Sequence, residues 1–490
     1  MTEEVQVIYN RFIGRICKIE FVETLQTIWG YVRNLQFGKD LPHDIILPPK
    51  YNLEPNSNYN RSIGVPEWEF DIILLYSILY SPKETSPWYS LKDFSFLRLI
   101  VNDIRLIRDE IDKSIIPNKE DVFKEFFRLM HRQFIWQQPI NKTYTYRFYK
   151  IFSHPYLHEL IRKKTNLDLK DLYKSGLLFT GYFINHLVSP IPLKTQLPWF
   201  TEEIANSFLN FFSIRTEDFI NKYKDKFELD DAFLYKFNPN RAYPLINHKG
   251  SIYCPIPTYI MWKITNGLYY DIVAERGFDE AFGKSFEDYC GLVFSKVITN
   301  KRIQVIPEII YGKPQKKSTD WILKEGNTYL FVECKAKRLR LDSITQLKNN
   351  YDLSDDLDKM VGFIFQVYKS VIEALNKNIP GINLDDNSHV QIIIVTLDEW
   401  HLDLDPFVDN NIRNELKLKF YSASLDTRLL DKYPFFIRSI GYFENDCQLI
   451  NEFGVCTYYN KFKINKLSEI SDSFKFKDIF AKEIDSEFFI

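Results

Sequence analysis

Cysteine and histidine are scarce, and neither is spaced for chemistry. The chain of 490 residues has six cysteines and eight histidines. Cys17, Cys254, Cys290, Cys334, Cys447 and Cys456 include no C-x-x-C pair, so neither a zinc ribbon nor a redox motif is indicated. Without a secretion signal, a chain this long is not expected to carry a disulfide framework. No H-E-x-x-H pattern occurs, which disfavours histidine-based zinc catalysis. Net charge is also lacking: 63 Lys and Arg against 65 Asp and Glu give −2, so any attraction to a polyanion must be local. Long apolar runs are missing as well. The stretch "FDIILLYSILY" falls short of the roughly 18 residues a membrane span needs, and the acidic start "MTEEVQVIYN" lacks a signal peptide's basic region and apolar core. A soluble cytoplasmic protein without a membrane partner is expected.

What is present is a globular composition, 45% hydrophobic and 26% charged, in a length that implies two or three domains. Apolar residues recur at helical spacing through the first part of the chain, as in Leu97, Ile100, Ile104, Ile107, Ile111 and Ile115. The spacing predicts a helical domain over 1–230, open to a protein partner or a second copy of the chain. Around "FNPNRAYPLINHKGSIYCP" the texture turns rich in Pro, Asn and Gly, with a hairpin turn at Asn247 to Gly250. Residues 231–282 are read as a hairpin and helix leading into the next domain, 283–400 as an α/β core, and 401–490 as its extension. In that core a helix starts near Gly283, followed by the strands "RIQVIPEIIYG", "TDWIL" and "TYLFVECK". A helix with Ser354 as N-cap and the buried strand "VQIIIVTL" complete it.

The strand "TYLFVECK" carries the chemistry. Side chains two apart share a face, so Leu330, Val332, Cys334 and Ala336 form a core face, and Phe331, Glu333 and Lys335 lie opposite. If Gly326 and Asn327 form a two-residue hairpin turn, Glu325 pairs with Thr328, Ile322 with Phe331 and Asp320 with Glu333. Two carboxylates so close repel unless a cation lies between them, and a hard divalent ion suits that gap. Lys335 lies one step further along the same face.

This D-x(12)-E-x-K pattern, with Asp320 on the second strand and Glu333 and Lys335 on the third, resembles the PD-(D/E)XK nuclease superfamily, the restriction-endonuclease-like fold. The resemblance spans about Phe282 to Leu397, with Thr319 where the motif has proline. It implies an α-β-β-β-α-β core with a mixed sheet and a metal-dependent nuclease, endonuclease rather than exonuclease, using Mg²⁺ (or Mn²⁺). It further implies Glu287 on the first core helix as an additional metal ligand, and Gln366 on the second as a further active-site residue, although Ser370 stands where a tyrosine is usual. Lys335 would orient the attacking water or stabilise phosphoryl charge. Lys316, Lys317, Lys337, Arg338 and Arg340 would contact the phosphates of a nucleic acid, DNA rather than RNA. A helical sensor joined to a nuclease suggests prokaryotic defence by fold-level analogy. Two alternatives stay open: a catalytically silent nuclease fold acting as a binding or scaffold subunit, and an RNase. "GFDEAFGKS" has five residues between its glycines and no strand leading in, so ATP binding is not expected.

Overall fold

The computed structural model describes residues 2–488 except 48–63, 82–88, 116–118, 137–139, 194–196, 340–349, 401–405 and 465. Arg340 therefore lies outside the described residues. The chain is mixed α/β with a helical N-terminal region and mixed sheets. It divides into two compact units, Met1–Ile140 with Pro155–Glu275, and Asn141–His154 with Arg276–Ile490. No helix among the described residues is long and apolar enough to cross a membrane.

The first unit is built on helices Glu3–Ile16, Phe21–Phe37, Glu67–Tyr80 and Phe94–Ile115, whose apolar stripes share one core. Glu67–Tyr80 is apolar nearly all round and is accordingly the most enclosed of them, with Phe70 to Leu79 all buried. The helical period over 1–230 misses two short strands, Val188–Pro190 and Ser213–Arg215, which join the two strands of the expected hairpin. β1 (Val188–Pro190), β2 (Ser213–Arg215), β3 (Leu245–His248) and β4 (Ser251–Tyr253) form a mixed sheet in the order β1-β4-β3-β2. The hairpin expected near 247–250 is present, with His248 paired to Ser251 across Lys249 and Gly250, both at positive φ.

The expected boundary near 230 moves to 275/276. The reason is Asp71. Its carboxylate and carbonyl accept from the Asn238 amide, and its carboxylate also binds Arg241, at 2.8 Å, and the Tyr259 hydroxyl. "FNPNRAY" is thus a buried polar knot of the first unit and not a linker, because a desolvated carboxylate needs those donors.

In the second unit a five-stranded sheet runs β11-β10-β9-β8-β5. Its strands are β5 (Gln304–Pro307), β8 (Trp321–Glu325), β9 (Thr328–Lys335), β10 (His389–Thr396) and β11 (Phe435–Ser439). A two-stranded ribbon, β6 (Ile310–Tyr311) with β7 (Lys316–Lys317), continues beyond β5 and β8. β5, β8 and β9 are antiparallel neighbours, whereas β10 and β11 run parallel to β9. The leading helix spans Phe278–Val297, earlier than the expected start at Gly283. The crossing helix spans Asn350–Leu375, so Ser354 lies inside it and is not its N-cap. The segment after 400 is more than an extension: it supplies β11 to the sheet, and helices Ile440–Phe453 and Val455–Lys463 pack onto it.

Helix Lys142–Phe152 belongs to this second unit although its sequence neighbours do not. Arg147 makes a bidentate ion pair with Glu444, at 2.8 and 2.7 Å, and Tyr289 donates to the same carboxylate at 2.7 Å. All three side chains are buried. Arg147→Leu leaves Glu444 charged and buried with one donor only, so a loss of about 3–5 kcal/mol is expected from denaturant midpoints. Arg147→Leu combined with Glu444→Leu should recover much of that loss, because a well-packed apolar pair replaces both charges.

Candidate active site

The β8–β9 ladder takes the register expected from the turn. Glu325 pairs with Thr328, Lys324 with Tyr329, Ile322 with Phe331 and Trp321 with Val332, where the ladder ends. Only Gly326 adopts a positive φ, +58°, which matches the hairpin class with glycine at the first turn position. Asn327 is used otherwise. Its side chain bonds Asp385 and Ser388, and its carbonyl accepts from the backbone N–H of His389, the first residue of β10. The turn thereby sets the parallel register that places Glu333 beside Ile394.

Asp320 lies one residue before β8, and a bulge aims it. Pro307 pairs with Trp321 and Ile310 with Lys317, so Glu308 and Ile309 on one side oppose Ser318, Thr319 and Asp320 on the other. The extra residue breaks the alternation and re-aims the neighbouring side chains. Ser318 stitches the bulge to Ile309 through a backbone bond of 2.9 Å and a hydroxyl bond of 2.8 Å. One Asp320 oxygen then accepts from the Cys334 N–H at 2.7 Å, and the Glu333 carboxylate accepts in turn from the Asp320 backbone. The two carboxylates share one corner at the C-terminal end of β9.

Their electrostatics follow from burial. Desolvation first, then the Glu333 charge, pushes Asp320 up to about 7. Glu333 is only 2% exposed and is also raised by burial, against the pull of Lys335. The Lys335 ammonium sits 2.7 Å from Glu333 and 5.2 Å from the centre of the Phe363 ring on the crossing helix. Burial would lower its pKa, but the Glu333 carboxylate outweighs this and the net direction is up. Lys335 is therefore held as a cation and hydrogen-bond donor.

The other expected residues are distributed unevenly. Glu287 is near enough to add to the field at Asp320, but its carboxylate is held by Lys284 at 2.9 Å. Among the described residues no three His, Cys, Asp or Glu side chains are grouped to hold an ion. Gln366 is exposed on the crossing helix, one turn beyond Phe363. Lys316 pairs with Glu373, and Lys317 with Glu308 at 2.9 Å. Lys337 pairs with the buried Asp356 at 2.9 Å. Arg338, expected on the surface, is instead 6% exposed and bonds Asp398 beyond β10 at 2.6 Å. It fastens the strand exit to the segment that follows β10.

Two residues of this corner escaped the sequence reading. Phe363 carries no charge to mark it. Glu308 adds to the field that raises Glu333, and it follows the Pro307–Trp321 pair. The loop between β5 and β8 is too long for turn chemistry to supply that register.

Against known protein families, curated proteins and solved structures, the chain has no match.

A carboxyl whose folded pKa exceeds its unfolded value binds more protons folded than unfolded between the two. In EDTA, stability should therefore fall as pH rises from about 4 to 7. Asp320→Asn should flatten that slope and melt higher than wild type at pH 8, as thermal scans across pH would show. Arg338→Ala should lower the melting temperature, because it leaves a tie between β9 and β10 unmade.

Proposed function

We propose that the second unit is a metal-dependent nuclease of the PD-(D/E)XK type, acting on DNA. The observation that carries this reading is the meeting of Asp320, Glu333 and Lys335 at the end of the central strand, two carboxylates against one ammonium in a largely buried corner. The element order around it supports the same reading: a leading helix, three antiparallel strands, a crossing helix and a parallel strand.

The donors present fit a hard divalent cation. Their oxygens are carboxylate, and Asp320 is strained by burial and by like charge, which a cation would relieve. Asp320 and Glu333 would hold it, with Glu287 reaching it directly or through water. Mg²⁺ or Mn²⁺ bound there supplies a water activated at neutral pH and a Lewis acid for the phosphoryl oxygen. The chain's own residues do the rest. The Asp320 carboxylate is oriented by the Cys334 N–H, and the Glu333 carboxylate by the Asp320 N–H. Lys335, pinned between Glu333 and Phe363, directs its remaining N–H donors at charge developing on the phosphate. As the water oxygen bonds to phosphorus, the ester P–O bond breaks. One water proton passes to the leaving oxygen and the other is released from the new phosphomonoester.

The test is cleavage of plasmid, linear duplex, single-stranded DNA and RNA by the full chain with Mg²⁺, Mn²⁺ or EDTA. Asp320→Ala and Glu333→Ala should abolish metal-dependent cleavage. Lys335→Ala should slow it by about 10²–10³-fold while sparing Mn²⁺ binding measured by calorimetry. Cleavage that persists in the two carboxylate variants would refute the assignment, and cleavage of RNA alone would redirect it to an RNase.

A further inference from the structure

Two lysines lie near the carboxylate corner, one ion-paired to Glu333 and one, three residues before Asp320, to Glu308. Lys335 approaches beside the crossing helix, against Phe363. Lys317 approaches from the ribbon, where its ammonium feels Glu308 first and then Glu287, on the leading helix, and Asp320. Its neighbour Lys316 is turned the other way, onto Glu373 of the crossing helix, as alternation along a strand requires.

We propose that Lys317 is a second cation of the reactive centre, and that Glu308 is the residue that positions it there; this rests on the nuclease reading above. The Lys317 side chain is 66% exposed, so the ammonium can meet a phosphate that enters the corner without first being dug out of the protein. Its carboxylate partner is the less exposed member, at 26%, and lies at the root of the ribbon, beside Ile309, which Ser318 ties to the bulge that carries Asp320. The pair is thus anchored at the acid and free at the base. A scissile phosphodiester at Asp320 and Glu333 lies between two ammonium groups, Lys335 within the corner and Lys317 at its mouth. Charge that builds on the phosphoryl oxygens as the water attacks is met from both sides. A cation engaged in this way lowers the barrier, whereas one that contacts a remote phosphate only tightens binding.

The experiment separates these by measuring rate and affinity on the same labelled oligonucleotide of whichever nucleic acid the wild type cleaves. Single-turnover rates are taken at saturating protein with Mn²⁺, and affinity by fluorescence anisotropy in EDTA. Lys317→Ala should slow the saturated rate by about tenfold or more, with affinity within about twofold of wild type. Lys317→Arg should restore most of the rate, because it keeps the charge. Glu308→Gln should slow cleavage severalfold with unchanged melting temperature, since it releases the ammonium without emptying a core site. If Lys317→Ala weakens affinity but leaves the saturated rate intact, Lys317 is a plain backbone contact and the inference is overturned. If Lys317→Ala slows cleavage and Glu308→Gln does not, the positioning role is overturned. A wild type that cleaves none of the substrates refutes the nuclease reading and this inference together, whereas an active wild type with an unaffected Lys317→Ala refutes only the latter.

Discussion

The pairing of Glu325 with Thr328 across a two-residue turn is the constraint from which the rest of the second unit follows. Side-chain parity along β9 is absolute once that pair is set, and a slip of one residue would exchange Glu333 and Lys335 with Cys334 between the faces of the sheet. The core face cannot accept that exchange. Leu330, Val332 and Cys334 are packed and almost without exposure, with the leading helix lying across β9 and β8; Gly291 of that helix lies against the ring of Trp321. Burial on one face therefore holds the charges on the other. The same turn reaches sideways through Asn327 to the start of β10, so one dipeptide sets both the antiparallel and the parallel register.

The corner built on that register has more negative charge in its buried part than its own lysine balances. Burial of Asp320 and Glu333 is unfavourable, as the upward direction of both carboxyls indicates. Such a cost persists where the surrounding structure over-determines it. Here it is over-determined by a bulge, by two backbone N–H donors and by an aromatic ring behind Lys335. The described cations of the basic run that follows β9 are engaged within the unit. Lys337 and Arg338 each meet a carboxylate, Asp356 on the crossing helix and Asp398 beyond β10, and so clamp the chain as it leaves the sheet. Lys316 and Lys317 of the ribbon are more exposed, each paired to a carboxylate.

The first unit obeys the same rule at another scale. Its helices are amphipathic or wholly apolar and need little explanation beyond their periodicity. One of its buried acid clusters, Asp71 with Asn238, Arg241 and Tyr259, joins segments 167 to 188 residues apart in sequence. A Pro- and Asn-rich stretch has the composition of a linker, and only its partner shows that it is interior.

Local chemistry was enough for the features that depend on near neighbours. The strand of Thr328–Lys335, its hairpin with Trp321–Glu325, the two-sided burial of His389–Thr396 and the shared face of Glu333 and Lys335 are all legible from parity, turn residues and β-branched runs. So was the approach of Asp320 to Glu333, since the turn between them is two residues long. The tertiary structure decided whatever depends on contacts distant in sequence. It placed Glu308 in the corner through a strand pairing that no short turn encodes, and Phe363 under Lys335 from a helix almost 30 residues on. It turned Arg338 inward to Asp398, and it assigned Lys142–Phe152 to the second unit through Glu444. A charged side chain reads the same in sequence whether it faces water or a buried partner, and the difference lies entirely in which distant segment is packed against it.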